Sequence, residues 1–152
     1  KKGIFTKGMT WRIIYQGLMI GLLTLAAFVI GLNTKNIPVI EGKTPEEVRV
    51  SIAQTMAFIV LGLSELVHVF NIRNNSKSIF KTGILGNMVL IGAIALSASL
   101  MFIVLFIPGL RNIFDIVMLP TENIVETVCL VLAPIVIVEL FKLFRINTIK
   151  GE

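Results

Sequence analysis

The chain has 152 residues, of which 55% are apolar and 15% are charged, and its mean hydropathy is +0.90. A soluble domain is typically about 45–50% apolar and about 25% charged, and a domain of this size buries only about two-thirds of its surface. The composition therefore excludes an ordinary soluble fold and predicts a single membrane domain over residues 1–152. The net charge of +5 does not indicate nucleic-acid binding, because the basic residues lie in separate short segments.

Four apolar stretches are long enough to cross a bilayer as helices, which takes about 20 residues. They cover residues 13–32, 52–72, 83–107 and 124–144. The second stretch contains Glu65 and His68, and one central carboxylate costs about 2.5–3.5 kcal/mol on an insertion scale. Its ten Ile, Leu, Phe and Val residues between positions 52 and 70 offset that cost. The sequence predicts an all-α membrane domain of four transmembrane helices.

Basic residues are distributed unequally between the two sides of this four-helix arrangement. Ten of the 14 Lys and Arg residues lie in the N-terminal segment, the second connection and the C-terminal tail, and four lie in the other two connections. By the positive-inside rule, both termini are predicted to be cytoplasmic. We expect a multi-pass protein of the cell membrane whose basic segments contact lipid headgroups.

Capping and turn signals mark the ends of the predicted helices. In the sequence Thr44-Pro45-Glu46-Glu47, Thr44 is an N-cap residue, Pro45 stands in the first turn, and Glu47 is a capping-box acid three residues after Thr44. This pattern predicts a helix that starts outside the membrane. Pro108-Gly109 predicts the end of the third span. Gly17 and Gly21 form a GxxxG pattern, which indicates at most close packing between helices.

Glu65 carries the clearest functional signal in the sequence. It lies about 13 residues into the second span, within the hydrocarbon and slightly to the cytoplasmic side of its centre. An ionisable group at this depth indicates an ion or proton pathway, or else an acid hydrogen-bonded to neighbouring helices. Residues at three- and four-residue spacing share its helical stripe: Gln54, Phe58, Gly62, His68 and Asn71. The oxygens of this stripe suit a hard cation better than a transition metal.

The sequence contains no nucleophile–base pair, nucleotide-binding loop or multi-cysteine metal cluster, so we expect no catalysis by this chain alone. It begins with Lys1-Lys2 rather than methionine, which favours a fragment or a processed product.

Three stretches in order resemble the C-terminal transmembrane region of P-type cation-transporting ATPases of the sarcoplasmic-reticulum calcium-pump type. Thr55-Met56-Ala57, followed by Glu65-Leu66-Val67-His68-Val69-Phe70-Asn71-Ile72-Arg73, is similar to the eighth transmembrane helix of that family. The spacing of the ninth helix is matched by Asn87, Gly92, Ser97, Ser99 and Leu100. Pro134 with Val138-Glu139-Leu140-Phe141-Lys142 is similar to the tenth helix, and Trp11-Arg12 with the first span falls where the seventh belongs.

The resemblance implies that Glu65 is a calcium ligand. In the family, the matching glutamate lends a side-chain oxygen to one of two calcium sites, and most other ligands come from the fourth, fifth and sixth helices, which this chain lacks. His68, Asn71 and Gln54 are possible neighbours of the site, although His68 stands where these pumps usually have asparagine. The phosphorylated aspartate of the family's DKTGT motif is absent, so ATP and magnesium are expected only in the parent pump.

Two classes of function follow from the sequence. In the first, the chain braces the ion-binding helices of an ATP-driven pump, and its partners are lipid and the remaining helices and cytoplasmic domains of that pump. The transported ion is then calcium, or sodium or protons in a related pump. In the second, the chain is a free-standing four-helix membrane protein, such as a small channel or an accessory subunit.

Overall fold

The computed structural model describes the backbone of residues 7–73 and 88–149 and most side chains between positions 14 and 140. Within these ranges the regular elements are helices, and the predicted all-α fold is confirmed. The helices are α1 Lys7–Leu32, α2 Pro45–Arg73, α3 Met88–Phe106, α4 Pro108–Ile113 and α5 Thr121–Ile149.

Three of the described helices are long and apolar enough to cross a membrane. Their apolar segments are Ile14–Leu32 in α1, Pro45–Val67 in α2 and Thr121–Val138 in α5. The predicted third span corresponds to α3, whose described apolar stretch is Ile91–Phe106, while residues 83–87 lie outside the described residues. Four crossings and cytoplasmic termini therefore remain predictions.

The predicted capping box is present and starts the second membrane helix itself. The backbone N–H of Thr44 donates to Glu47 Oε2 at 2.7 Å, and the N–H of Glu47 donates to Thr44 Oγ1 at 3.3 Å. Two of the N–H groups that a helix end leaves unpaired are thereby satisfied. As a result α2 begins at Pro45, seven residues before the apolar stretch predicted from hydropathy alone.

The predicted break at Pro108-Gly109 is also confirmed, because α3 ends at Phe106. The chain does not pass directly into a loop there. Pro108 instead occupies the first turn of the six-residue helix α4, which the sequence did not predict. Proline is compatible with that position because its missing N–H would be unpaired in any helix.

The core lies between α2, α1 and α5, and α2 is its central element. The apolar cluster contains buried residues from three helices and from the loop that precedes α5, which consists of residues 114–120. Its members are Ala27, Val48, Ile52, Met56, Val60, Val117 and Val131. Because α2 contributes more than half of this cluster, its packing in the core fixes the positions of its polar residues.

Helices α1 and α2 approach each other closely at Gly31, near the end of α1. A Cβ atom at this position would lie 2.4 Å from the Cα atom of Ala53 in α2, so the two backbones are in direct contact. At Gly17 and Gly21, by contrast, no described atom comes within 4 Å of the Cβ position. The GxxxG pattern therefore does not mark the packing contact between the described helices.

Candidate cation-binding face

Helix α2 has one buried side and one exposed side along its membrane segment. Ile52, Met56 and Val60 are fully buried against the rest of the bundle. Gln54, Phe58, Leu61 and Glu65 are exposed and follow each other at four- and three-residue spacing. We call these four residues the open face of α2. The packing of α1 and α5 against α2 leaves this face uncovered by the described residues.

Glu65 lies on the open face of α2, near the end of its apolar segment Pro45–Val67. None of the described residues forms an ion pair or a hydrogen bond with its carboxylate, and the ion pair between described residues joins Lys43 to Asp115. A carboxylate within hydrocarbon is costly unless other groups solvate it. The structure thus directs Glu65 away from the core that α2 shares with α1 and α5.

The other predicted site residues take different positions along α2. Gln54 shares the open face, but its eleven-residue separation from Glu65 corresponds to about 16 Å along a helix. Metal–oxygen distances for calcium are about 2.3–2.6 Å, so a single ion cannot join these two side chains. His68 and Asn71 belong to α2, and their side chains lie outside the described residues.

Gly62 belongs to the predicted stripe of Glu65, and α3 approaches α2 at this point. The Cβ position of Gly62 lies 2.9 Å from the Sδ atom of Met101. The small residue thus lets α3 pack beside the open face. In the described ranges no group of three or more His, Cys, Asp or Glu side chains could hold a metal ion. Since calcium takes six to eight oxygens, Glu65 can supply only part of a coordination shell.

A second polar cluster lies near the start of α2 and was not predicted. Lys43 Nζ donates to Ser51 Oγ at 2.9 Å, and Ser51 Oγ donates to Asp115 Oδ2 at 2.7 Å. Lys43 also forms an ion pair with Asp115 Oδ1. We call Lys43, Ser51 and Asp115 the Ser51 junction. The hydrogen bonds from Lys43 and Ser51 hold the pKa of the Asp115 carboxyl below its usual value.

One turn further along α2, Thr55 forms a second contact with the same loop. Its Oγ1 accepts a hydrogen bond from the backbone N–H of Val117 at 3.1 Å and donates to the Ser51 carbonyl at 2.7 Å. Thr55 and Val117 are both buried, so this bond is protected from water. Ser51 and Thr55 are four residues apart on one side of α2, and this spacing indicates a polar side of the helix but not its partners in the loop before α5.

The start of α5 is joined to the end of α1 in a similar way. Asn123 Nδ2 donates to Thr34 Oγ1 at 2.9 Å and to Glu126 Oε2 at 3.1 Å, and both Asn123 and Thr34 are buried. At the surface, Asn36 Nδ2 donates to Glu122 Oε1 at 2.9 Å. The end of the bundle formed by residues 33–44 and 114–120 is therefore held by polar contacts between segments far apart in sequence.

Comparison with known proteins gives a consistent result over most of the chain. The family model described as cation transporting ATPase, C-terminus, matches residues 1–144. A calcium-transporting ATPase 1 of Bacillus cereus is 35% identical over 152 residues, which cover 97% of this chain. A calcium-transporting ATPase of Bacillus subtilis is 35% identical over 117 residues, or 77% of the chain.

A fungal protein shows the same similarity over a shorter stretch. The endoplasmic reticulum calcium ATPase srcA of Aspergillus fumigatus is 33% identical over 106 residues, which cover 66% of this chain. These relatives are much longer proteins, and the matched regions make up 17%, 12% and 11% of their respective lengths.

Proposed function

Because the chain belongs to the family of cation-transporting ATPase C-terminal regions, we propose that it is the membrane support region of an ATP-driven calcium pump and supplies one ligand to the transported ion. With three long apolar helices, it is a multi-pass integral membrane protein. Calcium is the proposed ion because the relatives are named as calcium ATPases.

The packing of α2 supports the bracing role. One side of this helix is fixed in a core with α1 and α5, and the other side is open. In a complete pump, helices outside this chain would cover the open face and move against a support that stays packed. The relatives' much greater length agrees with a region that works together with the rest of a pump, whereas a free-standing channel would need no such partner.

The exposure of Glu65 on the open face is the single observation that carries the ligand role. A structural acid would be expected to point into the bundle and bond to its helices. Glu65 points the other way, where ligands from further helices can complete a calcium shell. Calcium tolerates irregular geometry, so one carboxylate from a supporting helix suffices as a partial contribution. ATP and magnesium would bind in the remainder of the pump.

The experiment is an ion-dependent ATPase titration of the intact pump with Glu65→Gln. This variant keeps the shape of the side chain and one oxygen but removes the charge. We therefore expect the calcium concentration for half-maximal activity to rise about tenfold or more. A tenfold change corresponds to about 1.4 kcal/mol of binding free energy. Glu65→Ala should raise it further because it also removes the oxygen.

Glu41→Gln is the matched control, because Glu41 is exposed in the loop before α2 and undergoes the same chemical change. It should leave the half-saturation unchanged. Titrations with sodium and across pH test the other candidate ions. If Glu65→Gln leaves the half-saturation of all of them unchanged, the ligand role is rejected.

A further inference from the structure

The Ser51 junction connects three separate segments of the chain at the start of α2. Lys43 belongs to the loop before α2, Ser51 to the second turn of α2, and Asp115 to the loop before α5. Each member contacts the other two through the bonds described above. Ser51 is fully buried and lies at the centre of the junction. The Lys43–Asp115 ion pair at the surface is therefore bonded to a fixed position on α2.

The junction and the Thr55–Val117 hydrogen bond contact α2 on two successive turns. One contact alone would allow α2 to rotate or slide about it. Two contacts four residues apart on the same side fix both the rotation of the helix and its depth relative to the loop before α5. Ile116 and Val117 are buried beside these bonds, so the loop is packed against the bundle and provides a firm attachment.

The backbone conformation of Asp115 is fixed by the C-terminal cap of α4, where the N–H groups of Asp115 and Ile116 donate to the carbonyls of Asn112 and Arg111 at 3.4 and 2.9 Å. The φ angle of Asp115 is +53°, in the left-handed region that most residues avoid. Residues persist in this region when the surrounding structure holds them there. The carboxylate reaches both Lys43 and Ser51 from this conformation.

Helix α2 runs without interruption from Pro45 to Arg73, so its orientation at Ser51 determines the location of Glu65. The 14 residues between them correspond to about 21 Å of helix. We infer that Lys43, Ser51 and Asp115 are positioning residues for ion binding: they set the depth and rotation of α2, and so hold the Glu65 carboxylate where an ion bound between α2 and neighbouring helices can reach it. This inference rests on the proposed ligand role of Glu65.

The test measures calcium half-saturation and maximal turnover separately in the intact pump, per amount of folded monodisperse protein. Asp115→Ala and Ser51→Ala should raise the half-saturation about three- to tenfold while turnover at saturating calcium stays close to wild type. A merely structural role would lower the yield or the thermal stability and leave the half-saturation of the folded fraction unchanged. That second result would overturn the inference.

The chain offers a matched control at the same end of the bundle. Asn36→Ala removes the hydrogen bond to Glu122, which joins two segments without contacting α2. Its half-saturation should equal that of wild type. The double variant Lys43→Asp, Asp115→Lys exchanges the two charges and keeps them opposite. It should recover part of the calcium affinity that is lost in Asp115→Ala. If it recovers none of that affinity, the ion pair has no role in positioning.

A double-mutant cycle with Glu65→Gln separates this inference from the proposed function. If the junction acts through Glu65, Asp115→Ala should have little additional effect on half-saturation once Glu65 is replaced, because coupled residues are not additive. An equal shift in both backgrounds would show that the junction acts elsewhere. If Glu65→Gln shifts the half-saturation but Asp115→Ala does not, only the positioning role fails. If Glu65→Gln has no effect, the ligand role fails and the positioning role fails with it.

Discussion

Asp115 combines an exposed carboxylate with a buried hydrogen-bond partner. About half of its side chain is exposed, and Lys43 is about one-quarter exposed, whereas Ser51 is inaccessible to solvent. An ion pair at this level of exposure contributes little to folding by itself, about 0–1 kcal/mol, because water screens it. Its specificity comes from the Ser51 hydroxyl, which ties the carboxylate to one position on α2.

The lowered pKa of Asp115 gives the junction a defined pH dependence. Because the folded state lowers this pKa from its ordinary value of 3.8, ionised Asp115 stabilises the folded protein above that value. The stabilisation is lost as the pH falls below 3.8 and through the folded pKa. Melting temperatures of wild type and Asp115→Asn should therefore differ at pH 7 and converge as the pH falls below 3.8 and through the folded pKa. A difference that stays constant over this range would contradict the assignment.

At the level of helices, the contact between α1 and α2 depends on a residue without a side chain. Gly31 is buried, and its missing Cβ allows the α1 backbone to reach Ala53. Gly62 is also a glycine within a membrane helix, but its surroundings differ. The atom nearest to its Cβ position is the Sδ atom of Met101, whose side chain is flexible. The two glycines therefore should respond differently to the same substitution.

We expect Gly31→Ala to destabilise the pump by about 1–3 kcal/mol, because the added methyl group forces two packed backbones apart. Gly62→Ala should cost clearly less, since Met101 can change its rotamer. Thermal inactivation of the purified intact protein measures both effects under the same conditions. Equal losses of stability for the two variants would show that the α1–α2 contact is not as close as described.

The long helices were predictable from sequence because apolar length and local capping determine them, whereas the short helix α4 was not. The capping box at Thr44 and Glu47 involves residues three apart, and the isolated acid Glu65 stands out in an apolar stretch. The Ser51 junction was not predictable in this way. Ser51 and Asp115 are 64 residues apart, and neither is unusual in its local sequence. Only the packing of the loop before α5 onto α2 brings them together.

For the molecule as a whole, the distribution of charge predicts an orientation in the membrane. The loop that contains Lys43 and the loop that contains Asp115 meet at one end of the described bundle. With ten of the 14 basic residues assigned to the opposite side, we propose that this end faces away from the cytoplasm.

Single-cysteine labelling tests the orientation directly. In a Cys129→Ser background, Asn36→Cys should react with a membrane-impermeant reagent from the outside of intact cells, because Asn36 is exposed in the loop before α2. A cysteine at Lys77 in the second connection should react only after the membrane is opened. Labelling of Asn36→Cys solely from the cytoplasmic side would reverse the proposed topology.

Equilibrium calcium binding to the intact, purified pump tests the ligand role of Glu65 most directly, because it needs no coupling to ATP hydrolysis. We predict that Glu65→Gln binds calcium at least about tenfold more weakly than wild type or loses one bound ion per molecule, while Glu41→Gln binds as wild type does. Calcium binding by Glu65→Gln with the affinity and stoichiometry of wild type would contradict the account.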